Sequence, residues 1–177
     1  IAGRNIRLAE LFQNENLFDP RLEQEPWSYR PIRGGYLRQP PNHLVLNWQE
    51  FPNLPDNIEK AVIDSMVVAW AVAWHSHHGG NEVSIVKDGC LLAVGGGPST
   101  VDAITTALER AKSCGHDLVG SVFAADAFFP FTDAPEIIVR AGCTHGIVPK
   151  GGKNFQLVED FFAQEKIRVL FLPEEYR

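Results

Sequence analysis

The stretch Asp126-Ala127-Phe128-Phe129-Pro130-Phe131-Thr132-Asp133 concentrates the groups best suited to hold a ligand. Flat phenylalanine rings beside carboxylates fit a planar heterocycle whose ring N–H groups donate to the carboxylates. The same residues have a plainer use. Asp133 with Glu136 reads as N-cap and capping box of a helix starting at Pro135, and the phenylalanines as core. A second candidate is Gly95-Gly96-Gly97-Pro98-Ser99-Thr100, read as a turn between a strand and a helix. Glycines admit close approach of a ligand, and a helix N-terminus offers unpaired N–H groups to an anion. Here the plain alternative is a tight turn with Ser99 and Asp102 as a capping box. The Gly-Lys-Ser/Thr ending of a phosphate-binding P-loop is missing. The acidic residue that a dinucleotide site places after the next strand has only Asp126 to supply it, slightly late. His75-Ser76-His77-His78 offers imidazoles to zinc. No carboxylate or thiolate nearby in sequence completes a ligand set, so it reads as a polar helix exit and no metal site is assigned.

These segments must be positioned by regular elements, and the chain divides into two parts to supply them. Residues 1–55 hold seven of the twelve prolines: Pro20, Pro26, Pro31, Pro40, Pro41, Pro52 and Pro55. Each removes a backbone donor and restricts its predecessor, so an extended arm is expected. Short strands fall near Ile6–Leu8, Tyr36–Gln39 and Leu44–Leu46, with Trp27, Tyr29 and Trp48 pinning the arm to a surface. From Asp56 the pattern becomes regular. Asp56 and Glu59 start a helix that runs to about Trp74 and is apolar almost all round, as a central buried helix would be. Glu82–Val86 and Cys90–Val94 form a hairpin through Lys87-Asp88-Gly89. A helix with Val101, Ile104, Leu108 and Ala111 on one face follows. Then come a strand at Leu118–Ala124, a helix at Pro135–Ala141, a strand at His145–Val148, a helix at Asn154–Lys166 and a strand at Arg168–Leu172. Alternating strands and helices imply parallel pairing with helices on both faces. The expected fold is a three-layer α/β/α domain over residues 56–177, its mixed sheet carrying an antiparallel hairpin.

Composition narrows the function classes. Of 177 residues, 45% are hydrophobic and 21% charged, the balance of a soluble globular domain. Sixteen Lys+Arg against 22 Asp+Glu give a net charge of −6, which argues against a general nucleic-acid binder. The longest apolar stretch, Ala61–Trp74, is 14 residues and contains Asp64 and Ser65. A bilayer span needs about 20 apolar residues, so no membrane span is expected. Cys90, Cys114 and Cys143 are odd in number and lack CxxC spacing, which points to a reducing compartment. Cytoplasmic placement is expected, with a mitochondrial location after removal of a leader as the alternative.

The run from Asp126 to Asp133 resembles the Asp-Ala-Phe-Phe-Pro-Phe-Arg-Asp motif of the AICAR transformylase family, the formyl-transfer half of a bifunctional purine biosynthesis protein. Other segments match in order. Arg33-Gly34-Gly35-Tyr36-Leu37-Arg38-Gln39 is similar to the family's Gly-Gly-Leu-Leu-Val-Gln, and Asn81–Gly89 to its Ser-Asn-Ala-Ile-Val segment. Val94-Gly95-Gly96-Gly97 stands where the family has Ile-Gly-Ala-Gly. Ile147-Val148-Pro149 with Gly151-Gly152 resembles its Pro-Gly-Gly. The resemblance implies the second of two tandem cytidine-deaminase-like layers. It implies transfer of a formyl group from 10-formyltetrahydrofolate, as co-substrate, to the amine of AICAR, in a homodimer with shared active sites.

By this resemblance Asn81 and Asp133 are the catalytic polar residues. Gly95, Gly96, Gly97, Asp126, Phe128, Phe129, Phe131, Gly151 and Gly152 line the substrate site. The family's Lys-His proton-transfer pair belongs to the first layer, outside the matched region. Its arginine after the glycine turn is replaced within Pro98-Ser99-Thr100-Val101, and that of Phe-Arg-Asp by Thr132. Two further readings therefore stand beside the enzyme. One is a catalytically inactive paralogue serving as a structural or accessory subunit, joined to a homodimer or larger assembly through the N-terminal arm. The other is a regulator that binds a purine or folate without turnover.

Overall fold

The computed structural model describes residues 28–39, 58–76 and 80–173. The chain falls into two compact units, residues 1–47 and 48–177.

The described part of the first unit is a two-stranded hairpin, β1 (Ser28–Ile32) and β2 (Gly35–Gln39), turning at Arg33-Gly34. β2 lies where a strand is expected at Tyr36–Gln39, and β1 is a further strand that the sequence pattern does not indicate. Pro31 sits inside β1 opposite Tyr36, and a two-stranded ribbon has edges on both sides that tolerate a missing donor. Ile32, Tyr36 and Leu37 are exposed on it. The strands expected at Ile6–Leu8 and Leu44–Leu46, with Trp27 and Trp48, lie outside the described residues.

In the second unit a five-stranded sheet runs in the order β4-β3-β5-β6-β7. Its strands are β3 (Asn81–Lys87), β4 (Cys90–Gly97), β5 (Val122–Ala125), β6 (His145–Pro149) and β7 (Arg168–Leu172). β3 is antiparallel to both β4 and β5, while β5, β6 and β7 run parallel. The hairpin β3–β4 thus forms one end of the sheet, turned by Asp88-Gly89 with both residues at positive φ. The helices are α1 (Lys60–His75), α2 (Thr100–Ser113), α3 (Asp133–Arg140) and α4 (Phe155–Gln164). Side-chain alternation along each strand creates two apolar faces. Ser84, Val86, Val122 and Ala124 face α1, whose Met66, Ala69, Trp70 and Ala73 are buried, and Ser84 Oγ donates to Ala69 O at 2.6 Å. Val83, Ile85, Phe123, Ala125 and Val148 face α2, α3 and α4, joining Ala103, Ile104, Ala107, Ile138 and Phe162 in one core. Helices cover both faces, giving the three-layer α/β/α architecture that the alternating elements imply.

Several boundaries differ from expectation for identifiable reasons. β4 continues through Gly97 instead of turning at Gly95. β5 starts at Val122, because Gly120 at φ +81° turns the chain just before it. α3 starts at Asp133 with Thr132 as N-cap, not at Pro135. Pro135 fits inside the first turn because its amide would have had no intrahelical acceptor. Ser99 does cap α2, its Oγ accepting from Asp102 N at 3.1 Å. β4 has a partner strand only on its β3 side among the described strands, and Arg110 Nη1 of α2 donates to Val94 O at 2.5 Å.

Candidate functional site at the carboxyl edge of the sheet

Strand direction decides which loops meet. β4, β5, β6 and β7 all point the same way and β3 points opposite. The carboxyl ends of those four strands and the amino end of β3 therefore share one edge. Ligands of open α/β sheets bind at such an edge. Asn81, Gly97, Asp126, Pro149 and the Gly151-Gly152 segment, distant in sequence, all come to it.

Contacts tie these segments together. Asn81 Nδ2 donates to Gly97 O at 3.3 Å, joining β3 to the end of β4. Glu82 N donates to Asp126 Oδ1 at 2.7 Å and Asp126 N donates to Glu82 O at 3.1 Å, joining β3 to the end of β5. Phe128 lies over Gly152, where a Cβ would come within 2.7 Å of the ring. Gly152 also has φ +83°, so a side chain there meets both strain and a clash. Asn154 Nδ2, ahead of α4, donates to Pro130 O at 2.9 Å. The aromatic turn is thus fastened to β3 at its start and to the segment before α4 further along.

The predicted ligand residues separate into different environments. Phe129 is 2% exposed and packs on Phe123 and Phe162, so its ring belongs to the core. Phe128 is half-buried, while Phe131 is 56% exposed and available at the surface. Asp133 is exposed in the first turn of α3, its Oδ1 accepting from Ala134 N at 2.8 Å. There it favours the helix N-terminus as a carboxylate should, without being the N-cap. Gly95 faces α2 and not an open cleft: a Cβ would lie 2.2 Å from Ala103 O and 2.4 Å from Ala107 N. Gly97 likewise faces Asp102 at 2.7 Å. For both, close helix packing accounts for the glycine, and Gly96 lies between them in the strand. Gly151 is buried and Gly152 exposed.

Cations at this edge come from Lys150 and Lys153, both exposed, with Lys150 Nζ 5.6 Å from the Phe155 ring centroid. α1 runs with Ser65 near the β3–β4 turn and Ala69 near Ser84, so His75 at its end approaches the same edge. His77 and His78 lie outside the described residues, and no group of three metal-ligating side chains comes together among the described ones. Glu82 was not singled out by sequence. It is 1% exposed at the start of β3, beside Asp126. The signal was present: a carboxylate in a segment otherwise reading as a buried strand is costly unless its polar groups are partnered.

No helix among the described residues is long and apolar enough to cross a membrane. No family model matches the chain. In sequence it is similar to the bifunctional purine biosynthesis protein PurH of Aquifex aeolicus, 31% identical over 169 residues, which is 95% of this chain and 31% of that protein. The PurH of Chloroflexus aurantiacus is 35% identical over 135 residues, 75% of this chain and 26% of that protein. The Bacteroides thetaiotaomicron PurH reaches 50% over 72 residues, 40% of this chain and 14% of that protein. A dCMP deaminase from the cyanophage S-TIM5 superposes with a TM-score of 0.47 at 20% identity, over 64% of this chain and all of that one. A diaminohydroxyphosphoribosylaminopyrimidine deaminase/5-amino-6-(5-phosphoribosylamino)uracil reductase from Thermotoga maritima superposes with a TM-score of 0.43 at 20% identity, over 64% of this chain and 34% of that one. The chain spans less than a third of the length of the curated relatives it matches.

Proposed function

We propose that this chain is the second cytidine-deaminase-like layer of an AICAR transformylase. It would act in purine biosynthesis by formyl transfer from 10-formyltetrahydrofolate to AICAR once a first layer completes the site. The observation that carries this reading is the convergence at one sheet edge of the segments that resemble the family: Asn81, the end of β4, the aromatic turn and Gly151-Gly152. In this reading Asn81 and Asp133 are the polar contacts to substrate, Phe128 and Phe131 the aromatic wall, and the backbone at Gly152 a point of close approach. Phe129 supports that wall from the core side.

Formyl transfer from a folate to a weakly nucleophilic amine needs a positioned acid/base and stabilisation of the developing oxyanion. The edge described here supplies carboxylates, two lysines and His75 beside aromatic surface. The completing layer is assigned the proton transfer, and a homodimer or a larger assembly is the form expected to turn over. Cytoplasmic placement is part of the proposal, in accord with three cysteines that form no disulfide.

A second reading, a non-catalytic subunit built on the same fold, is favoured by what stands at the two positions where the resembled motifs carry arginine. After the glycine turn Val101 stands there, packed against the core, and Thr132 holds the second position, its Oγ1 donating to Glu136 Oε1 at 3.4 Å. Native mass spectrometry of the particle isolated from cells, followed by a formyl-transfer assay on it, separates the two. A homodimer or a chain carrying the first layer, with turnover of AICAR, is the expected result. A stable complex with unrelated proteins and no turnover would replace the enzyme by the subunit.

A further inference from the structure

β5 ends at Ala125, yet its ladder with β3 continues for one altered rung. With Val83 opposite Ala125, Glu82 stands opposite Asp126. The Asp126 amide donates to the Glu82 carbonyl at 3.1 Å, as a backbone rung requires. The return bond departs from the pattern: Glu82 N–H donates at 2.7 Å to Oδ1 of the Asp126 side chain. The carboxylate takes the place of the Asp126 backbone carbonyl. That carbonyl is relieved of the ladder bond, and the chain can leave the sheet at this residue without stranding the Glu82 amide, which belongs to a residue only 1% exposed. Three anchors then fix the path that follows: this rung, Phe128 over Gly152, and Asn154 on Pro130 O.

We infer that Asp126 is a positioning residue, whose carboxylate ends β5 and aims the aromatic turn at the sheet edge without touching the ligand. Side-chain replacement of a carbonyl explains why an acidic residue stands at the first position after a wholly buried strand. It also separates Asp126 from Asp133, which is exposed and has no bond to a neighbouring strand among those described. The structural part of this inference stands alone. Its consequence for affinity rests on the proposed function.

The test compares Asp126→Ala and Asp126→Asn in the full chain, reading amide exchange by NMR and AICAR binding by calorimetry. Asparagine keeps an oxygen acceptor and removes the charge. Expected for Asp126→Ala is exchange of the Glu82 amide more than ten-fold faster, spreading into Ala127–Phe131, with AICAR affinity weakened at least ten-fold. Amides of β6 and β7 serve as the reference for global opening. Asp126→Asn is expected within about three-fold of the parent in both readouts, because the acceptor is retained. Unchanged protection of Glu82 in the alanine variant overturns the inference. So does loss of AICAR binding in the asparagine variant with Glu82 still protected, which would make Asp126 a direct ligand contact. If the alanine variant does not fold, loss of Glu82 protection in Asp126→Asn is the overturning result. If the parent chain binds no AICAR without the completing layer, the exchange pattern alone decides the role of Asp126.

Discussion

Substituting Gly95 by alanine distinguishes a glycine kept for a ligand from one kept for helix packing. A Cβ built on Gly95 would stand 2.2 Å from Ala103 O, 2.4 Å from Ala107 N and 3.1 Å from Ala107 Cα. All three are backbone atoms of α2, so no rotamer change relieves the overlap. The helix has to retreat by roughly 1 Å to restore ordinary van der Waals contact. Its inner face of Ala103, Ile104, Ala107 and Ala111 is completely buried, so retreat loosens the whole contact with β3 and β4. Overpacking of this kind costs about 1–3 kcal/mol, and a backbone obstacle places Gly95→Ala near the upper value. At about 2–4 °C per kcal/mol for a chain of this size, Tm is expected to fall by about 6–12 °C. Gly115→Ala is the reference: it has open space around it and φ +74°, and should cost only about 1–2 kcal/mol. Thermal melts followed by circular dichroism, with AICAR titration on the same samples, read both effects. A Gly95→Ala variant that melts within 2 °C of the parent (roughly 1 kcal/mol or less) but has lost AICAR binding would refute the packing argument.

Three further outcomes are expected. Asp133→Asn keeps an acceptor for Ala134 N and should cost under about 1 kcal/mol of stability while abolishing AICAR binding in the enzyme reading; parental affinity would remove Asp133 from the site. Alkylation of the native protein should label Cys90 and Cys114 and spare Cys143, which is buried beside Ser121 and whose thiol burial pushes up; mass spectrometry of peptides reads this, and rapid labelling of Cys143 would contradict it. Burial, and secondarily the charge of Arg168, hold the His145 imidazole below its usual range, so in the folded state it resists protonation. The unfolded chain then binds more protons once the pH drops below about 6.5, and stability should fall as pH falls through that window and level off below the folded pKa. His145→Gln should flatten this limb in Tm measured from pH 7.5 to 5, and an unchanged slope would assign it elsewhere.

The layers and the order of elements were legible because period-2 and period-3.6 patterns survive in Glu82–Val94, Val101–Ala111 and Asn154–Lys166. The glycine run was misplaced as a turn because permissive φ and close packing leave the same residue in the sequence. Only the position of α2 shows that Gly95 and Gly97 belong to a strand. Likewise Phe128, Phe129 and Phe131 are one run in sequence, yet half-buried, core and exposed respectively, since a turn does not alternate with a fixed period. The rung between Glu82 and Asp126 joins residues far apart in the chain and depends on strand register, which no local pattern encodes. Strand β1 was not legible because Pro31 reads as a strand breaker, whereas an edge of a two-stranded ribbon tolerates its missing donor.

Arg110 has a consequence for how this protein tolerates high concentration. Among the described strands β4 has no partner on its outer side, where it presents a row of amides and carbonyls, and its glycines supply no side-chain bulk to hinder an incoming strand. The guanidinium of Arg110 lies on the outward Val94 carbonyl and brings a charge to the middle of that row. A second chain seeking to extend the sheet must first displace this bond and desolvate the charge, the usual way natural sheets keep an edge from templating fibrils. Replacing this one arginine on a helix would therefore leave the middle of that row open to an incoming strand, with the folded interior left intact.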